Sequence, residues 1–108
     1  MDLKVDIEKQ DKKSTVTLNG EIDIYTAPDL KEQLLPLTKD KSTLEVDLSE
    51  VSYMDSTGLG VFISLLKSAK EHEGELYLLN PQSKVLRLFT ITGLDQILNI
   101  EAPHRGEG

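Results

Sequence analysis

The chain has no cysteine, which excludes disulfides, thiolate metal sites and cysteine nucleophiles. Histidine is nearly as scarce, with only His72 and His104 to serve as a general base. No apolar run approaches the roughly 20 residues that span a bilayer. The opening Met1-Asp2-Leu3-Lys4-Val5-Asp6 places charges where a signal peptide needs an apolar centre, so the expectation is a soluble cytoplasmic protein. Lys and Arg form no cluster to hold a phosphate backbone, which argues against nucleic acid. Acid, by contrast, is plentiful: the net charge is −7, and residues 1–55 carry 13 acids against 7 bases while residues 56–108 carry 6 against 5. A basic or neutral protein surface suits such a charge better.

At 108 residues, 38% of them hydrophobic, the chain fits one domain with a single core. Leu3 to Glu8 and Thr15 to Asn19 alternate apolar and polar residues, as two strands of an antiparallel hairpin do. Lys9 to Lys13 reads as their turn, and Gly20 to Tyr25 as a loop or strand end. Thr26-Ala27-Pro28-Asp29 looks like a helix start, with Thr26 as N-cap, Pro28 in the first turn and an acid near the positive dipole end. Pro36 should end or kink that helix, because it has no N–H to donate. Thr43 to Leu48 alternates again. Leu59, Phe62, Ile63, Leu66 and Ala69 keep helical spacing up to Gly74, which is expected to stop the helix. A strand over Glu75 to Asn80, a helix around Val85, Leu88 and Phe89 capped near Gly93, and a short strand or turn over Leu94 to Ile100 complete the order. The predicted fold is α/β, a mixed sheet with helices packed on it in the order β-β-α-β-α-β-α-(β). The domain is expected over residues 1–101, with 102–108 as a loose tail.

The chemistry concentrates in Val51-Ser52-Tyr53-Met54-Asp55-Ser56-Thr57-Gly58-Leu59-Gly60. Two adjacent hydroxyls, Ser56 and Thr57, stand where a strand-like run gives way to a helical one. Such a hydroxyl can cap the helix and stay inert, a role worth roughly 1 kcal/mol. It can also accept a phosphate, with free N–H groups and the positive dipole end to receive it. Gly58 and Gly60 each cost about 1 kcal/mol of helix propensity. They leave the backbone open to another molecule, which favours a contact site without excluding a plain cap.

Catalysis is harder to support. A nucleophile elbow needs glycine two residues before its serine, and Met54 stands there. Neither histidine is placed as a base: His72 falls near a helix C-terminus and His104 in the tail. Asp55-Ser56-Thr57-Gly58 is out of step with the Asp-Thr/Ser-Gly of aspartic proteases and has no second copy. Gly58-Leu59-Gly60 lacks the third glycine of a dinucleotide loop, and no Gly-Lys-Ser/Thr phosphate loop exists. Asp23, Asp47 and Asp55 could be imagined around a magnesium ion, but aspartate at turns and caps is common without a metal.

Leu18-Asn19-Gly20-Glu21-Ile22-Asp23, then Thr26-Ala27-Pro28, then Met54-Asp55-Ser56-Thr57-Gly58-Leu59-Gly60, resembles over nearly the whole chain the STAS domain of bacterial anti-sigma factor antagonists. Within that family it resembles the type acting in the general stress response of Bacillus. The resemblance implies a binding protein and not an enzyme. The unphosphorylated form would bind an anti-sigma factor that is also a serine kinase, freeing the sigma factor. The kinase would use ATP to phosphorylate Ser56, with Thr57 as the rival acceptor, and binding would be lost until a metal-dependent PP2C-type phosphatase restored it. The implied partner surface comprises Gly20, Glu21, Asp23, Asp55, Thr57, Gly58, Leu59 and Gly60, with no cofactor or metal on this chain. A STAS scaffold in a larger stress-sensing complex, or action on a sporulation-type kinase, is the alternative.

Overall fold

A computed structural model describes residues 2–102. The hairpin expected at the start is present and longer than the alternation alone marks. Strand β1 (Leu3–Gln10) pairs antiparallel with β2 (Lys13–Ile22), and only Asp11 and Lys12 remain for the turn. Asp11 takes a positive φ of 54° there, which aspartate tolerates better than most residues. Helix α1 (Ala27–Leu34) buries Ala27, Leu30 and Leu34. At Pro36 the chain tightens into a 3-10 turn, Leu35–Thr38, because proline removes an i to i−4 bond.

Strand β3 (Thr43–Met54), helix α2 (Ser56–Glu71), β4 (Glu75–Leu79), helix α3 (Ser83–Ile91), a 3-10 turn at Leu94–Gln96 and β5 (Asn99–Glu101) follow. The strands form one sheet in the order β1-β2-β3-β4-β5, parallel from β2 onwards. With right-handed crossovers, a strictly sequential parallel order places every helix on the same face. Burial agrees: Leu44, Val46 and Leu48 on β3 are fully buried, while Thr43, Glu45 and Asp47 between them are half-buried on the open face. The helices meet through Phe62 of α2 and Phe89 of α3, whose rings lie edge to face with centroids 6.0 Å apart. Such a pair contributes about 1 kcal/mol beyond its buried area.

One expectation about ends needs correction. Helix α2 ends at Glu71 with His72 as its cap, and Glu73 just beyond takes the left-handed conformation (φ 60°). Gly74 serves a different purpose, since a Cβ there would lie 2.4 Å from the Ser42 carbonyl oxygen. Gly93 does take a positive φ, 78°, after α3. The expected tail from residue 103 lies outside the described residues, as does His104.

Candidate functional site

The parallel pairing of β2 and β3 brings the two motifs together. Glu21 registers with Tyr53 and Ile22 with Met54, so both strands end side by side. The Asp55 N–H then donates to the Ile22 carbonyl at 3.3 Å. The two following loops therefore share the carboxyl edge of the sheet, where open α/β folds place their sites.

The first loop is built around Asp23. Its carboxylate accepts from the N–H groups of Tyr25 at 2.9 Å and Thr26 at 3.0 Å. The Thr26 hydroxyl donates back to the Glu21 carbonyl at 2.9 Å and accepts from the Asp23 N–H at 3.0 Å. Thr26 is thus not a side-chain cap of α1, as its position suggested, and its backbone is already in the right-handed helical region. Burial alone would push the Asp23 carboxyl up. The N–H groups of Thr26 and Tyr25, with the Thr26 hydroxyl, outweigh it and hold the group below the ordinary carboxylate range. A carboxylate spent on this loop is poorly placed to serve a metal, and among the described residues no group of three acids or histidines could hold one.

The second loop reassigns the cap. Asp55 is the N-cap of α2, with extended backbone, and its carboxylate accepts from the Thr57 N–H at 3.0 Å. The Thr57 hydroxyl donates to the same carboxylate. The Gly58 and Leu59 N–H groups donate to the Asp55 carbonyl at 3.0 and 3.3 Å. The Leu59 bond is the first ordinary turn of the helix. Of the four N–H groups usually left free at a helix start, those of Asp55, Thr57 and Gly58 are engaged, and among the described residues that of Ser56 remains. The helix start offers little to receive a phosphate, contrary to the expectation of free donors there. Ser56 is the first helical residue and is exposed, and among the described residues its hydroxyl has no hydrogen-bond partner. Thr57 is half-buried and engaged; Ser56 is neither.

Replacing Asp55 with alanine should therefore cost about 1 kcal/mol, read as a fall in melting temperature of about 4 °C for a chain of this size. Asparagine, which also caps, should recover most of it. A melting point unchanged by alanine would show that the cap contributes nothing.

The glycines divide. A Cβ on Gly58 would lie 2.4 Å from Met54 Cγ and 2.9 Å from Ile22 Cγ2, so Gly58 lets α2 sit close on the ends of β2 and β3. Leu59 is buried in the core beside it. Neither offers surface to a partner in this fold, and the idea of an open backbone at Gly58 gives way to packing. Gly60 is exposed, and a Cβ there would meet nothing within 4 Å. Exposed apolar side chains around Ser56 escaped the sequence reading: Tyr25 is 79% exposed, Ile24 63% and Tyr53 49%. Ile24 separates two grooves. One is lined by Glu21, Asp23, Tyr25, Tyr53, Asp55 and Lys84 among others; the other lies between α1 and α2.

Among the described residues no histidine is placed beside Ser56 for hydrolysis. His72 caps the far end of α2, roughly 24 Å along the helix from Ser56 at 1.5 Å per residue. One of its ring nitrogens is engaged with the Ser68 carbonyl at 2.7 Å.

Comparison with known proteins agrees with the fold. Residues 4–105 match the STAS domain family. The chain is 44% identical over 106 residues to the anti-sigma-B factor antagonist of Bacillus subtilis, covering 98% of this chain and 97% of that protein. The crystal structure of an anti-sigma factor antagonist from Mycobacterium paratuberculosis superposes with a TM-score of 0.83 at 26% identity, over 94% of this chain and 87% of the other. The anti-sigma factor antagonist SpoIIAA in its unphosphorylated form gives 0.79 at 20% identity, over 96% and 91% of the two chains. At that identity the likeness is one of fold. The relatives are regulatory binding proteins by name, not enzymes.

Proposed function

The chain belongs to the STAS domain family, and from this premise we propose that it acts as an anti-sigma factor antagonist of the anti-sigma-B type. Unphosphorylated, it binds an anti-sigma factor that is also a serine kinase, in the cytoplasm, and frees the sigma factor for stress-response transcription. The kinase supplies ATP and phosphorylates Ser56, and the modified protein lets go. A PP2C-type phosphatase restores binding. Ser56 supports this reading more than any other residue: an exposed hydroxyl, without a hydrogen-bond partner among the described residues, at the first position of α2, between a cap and a threonine that already engage each other.

The physics of release is local. Phosphorylation adds about −1.5 to −2 charges at neutral pH. With the Thr57 and Gly58 N–H groups engaged by Asp55, only the Ser56 N–H of the helix start is left, among the described residues, to compensate it. Asp55 and Glu21 already make the neighbourhood negative, and each like charge at ~6 Å costs on the order of 1 kcal/mol at an effective dielectric of a few tens. A partner seated over the site would further strip water from the dianion, costing several kcal/mol.

The test is incubation with the anti-sigma-B factor of Bacillus subtilis and ATP, read by intact mass and fragment mapping. One phosphate on Ser56, none on Ser56→Ala, and retained binding by Ser56→Ala are expected. Full modification of Ser56→Ala would move the acceptor to Thr57 or elsewhere. A sporulation-type anti-sigma kinase is the specificity control; preference for it would overturn the anti-sigma-B assignment.

A further inference from the structure

An exposed glycine in a helix interior needs a reason, because it costs helix stability relative to alanine. Gly58 has one inside the fold, the close approach of Met54 and Ile22; Gly60 has none, since the space above it is empty for 4 Å. That space is a groove of about 470 Å³ between α1 and α2, lined by Ile24, Pro28, Thr57, Gly60 and Val61. Its lining is mostly apolar and holds no acid, and its one charged residue is Lys31. The neighbouring groove across Ile24 is lined by Glu21, Asp23 and Asp55. Thr57 lines one groove and Asp55 the other, and Ser56 lies between these two residues in the chain.

We propose that the α1–α2 groove floored by Gly60 is the slot in which the anti-sigma factor seats an apolar side chain, flanked by a carboxylate that meets Lys31. This rests on the antagonist function proposed above and specifies where its energy of binding lies. The missing Cβ lets the partner's chain approach the α2 backbone, and exposed Ile24 forms one wall. The absence of acid separates this slot from the lip across Ile24, where three acids outnumber Lys84. A single carboxylate of an otherwise basic or neutral partner surface is therefore accepted here and disfavoured there. A phosphate on Ser56 stands at the slot's edge and meets that carboxylate as a like charge.

The experiment measures binding of the Bacillus subtilis anti-sigma-B factor to Gly60→Ala, Gly60→Leu, Ile24→Ser and Lys31→Glu, all in a Ser56→Ala background that excludes modification. Gly60→Ala should melt about 4 °C higher and yet bind at least ~10-fold more weakly, a loss of about 1.4 kcal/mol. Gly60→Leu should abolish binding, and the other two variants should each lose roughly tenfold. Gly60→Leu and Ile24→Ser binding within threefold of the parent would overturn the slot. Were Gly60→Leu to misfold, Ile24→Ser, whose side chain stands mostly in solvent, still decides. Absence of binding by the parent would overturn the antagonist reading itself, and the slot with it.

Discussion

Ser56→Asp is expected to weaken binding of the anti-sigma factor by about a hundredfold, close to 2.8 kcal/mol, while the melting temperature moves by less than about 3 °C. The two halves of that result have different causes. In the free protein an acid at the first position of α2 meets the positive end of the helix dipole, a gain of about 0.3–1 kcal/mol. Repulsion from the Asp55 carboxylate, the N-cap, offsets it, so folding barely responds. In the complex the new carboxylate loses water and gains few donors, because the Thr57 and Gly58 N–H groups are already engaged and, among the described residues, only the Ser56 N–H of the helix start remains. An unpaired buried charge costs several kcal/mol, and phosphate, with the larger charge, should cost more than aspartate. Ser56→Asn separates shape from charge, being nearly isosteric with aspartate but neutral; it should lose less than tenfold. Isothermal titration of the three proteins against the anti-sigma-B factor reads both quantities. An aspartate variant within threefold of the parent would remove the electrostatic account, and an asparagine variant as weak as aspartate would make the switch purely steric.

The order of elements was legible because each rests on a local rule. Alternation marked β1 to β3, Pro36 ended α1 and Gly93 followed α3. What the chain did not disclose depends on contacts distant in sequence. Asp55, Ser56 and Thr57 are all able to cap a helix, and only the extended backbone at Asp55 decides which one does. Gly58 and Gly60 are equivalent on paper; the ends of β2 and β3 beneath α2 make one a packing requirement and leave the other open. Gly20 to Tyr25 read as a loop or strand end, and nothing local showed that β2 ends at Ile22 and the chain turns at Asp23, which leaves Ile24 and Tyr25 exposed. Turns at Asp40, Lys41, Glu73 and Asn80 take positive φ without glycine, so their positions carried little signal.

Gly20→Ala should destabilise the fold by about 3 kcal/mol, the largest loss expected from any single methyl near the site. Gly20 lies in β2 with φ of 133°, a region that costs other residues about 1–3 kcal/mol. The added Cβ would also lie 2.3 Å from the Asp2 carbonyl oxygen and 3.1 Å from the Leu3 Cα. Those are backbone atoms, held by the Gly20–Leu3 pairing and by the Glu21 N–H donating to the Asp2 carbonyl at 2.9 Å, so no rotamer change relieves the overlap. The β2–β3 register also shifts between Gly20 and Glu21, and β1 would have to move to admit the methyl. Urea unfolding measures the loss, with Asn19→Ala, an exposed neighbour, expected within about 0.5 kcal/mol of the parent. A cost below 1 kcal/mol for Gly20→Ala would show that β1 yields easily. The backbone alone thus accounts for a glycine at this position, with no partner contact required. Binding by Gly20→Ala should consequently fall only as the folded fraction falls, and recover in full when the temperature is lowered. Gly60 variants should behave in the opposite way, losing affinity while gaining stability, and that contrast separates a glycine kept for the fold from one kept for the partner.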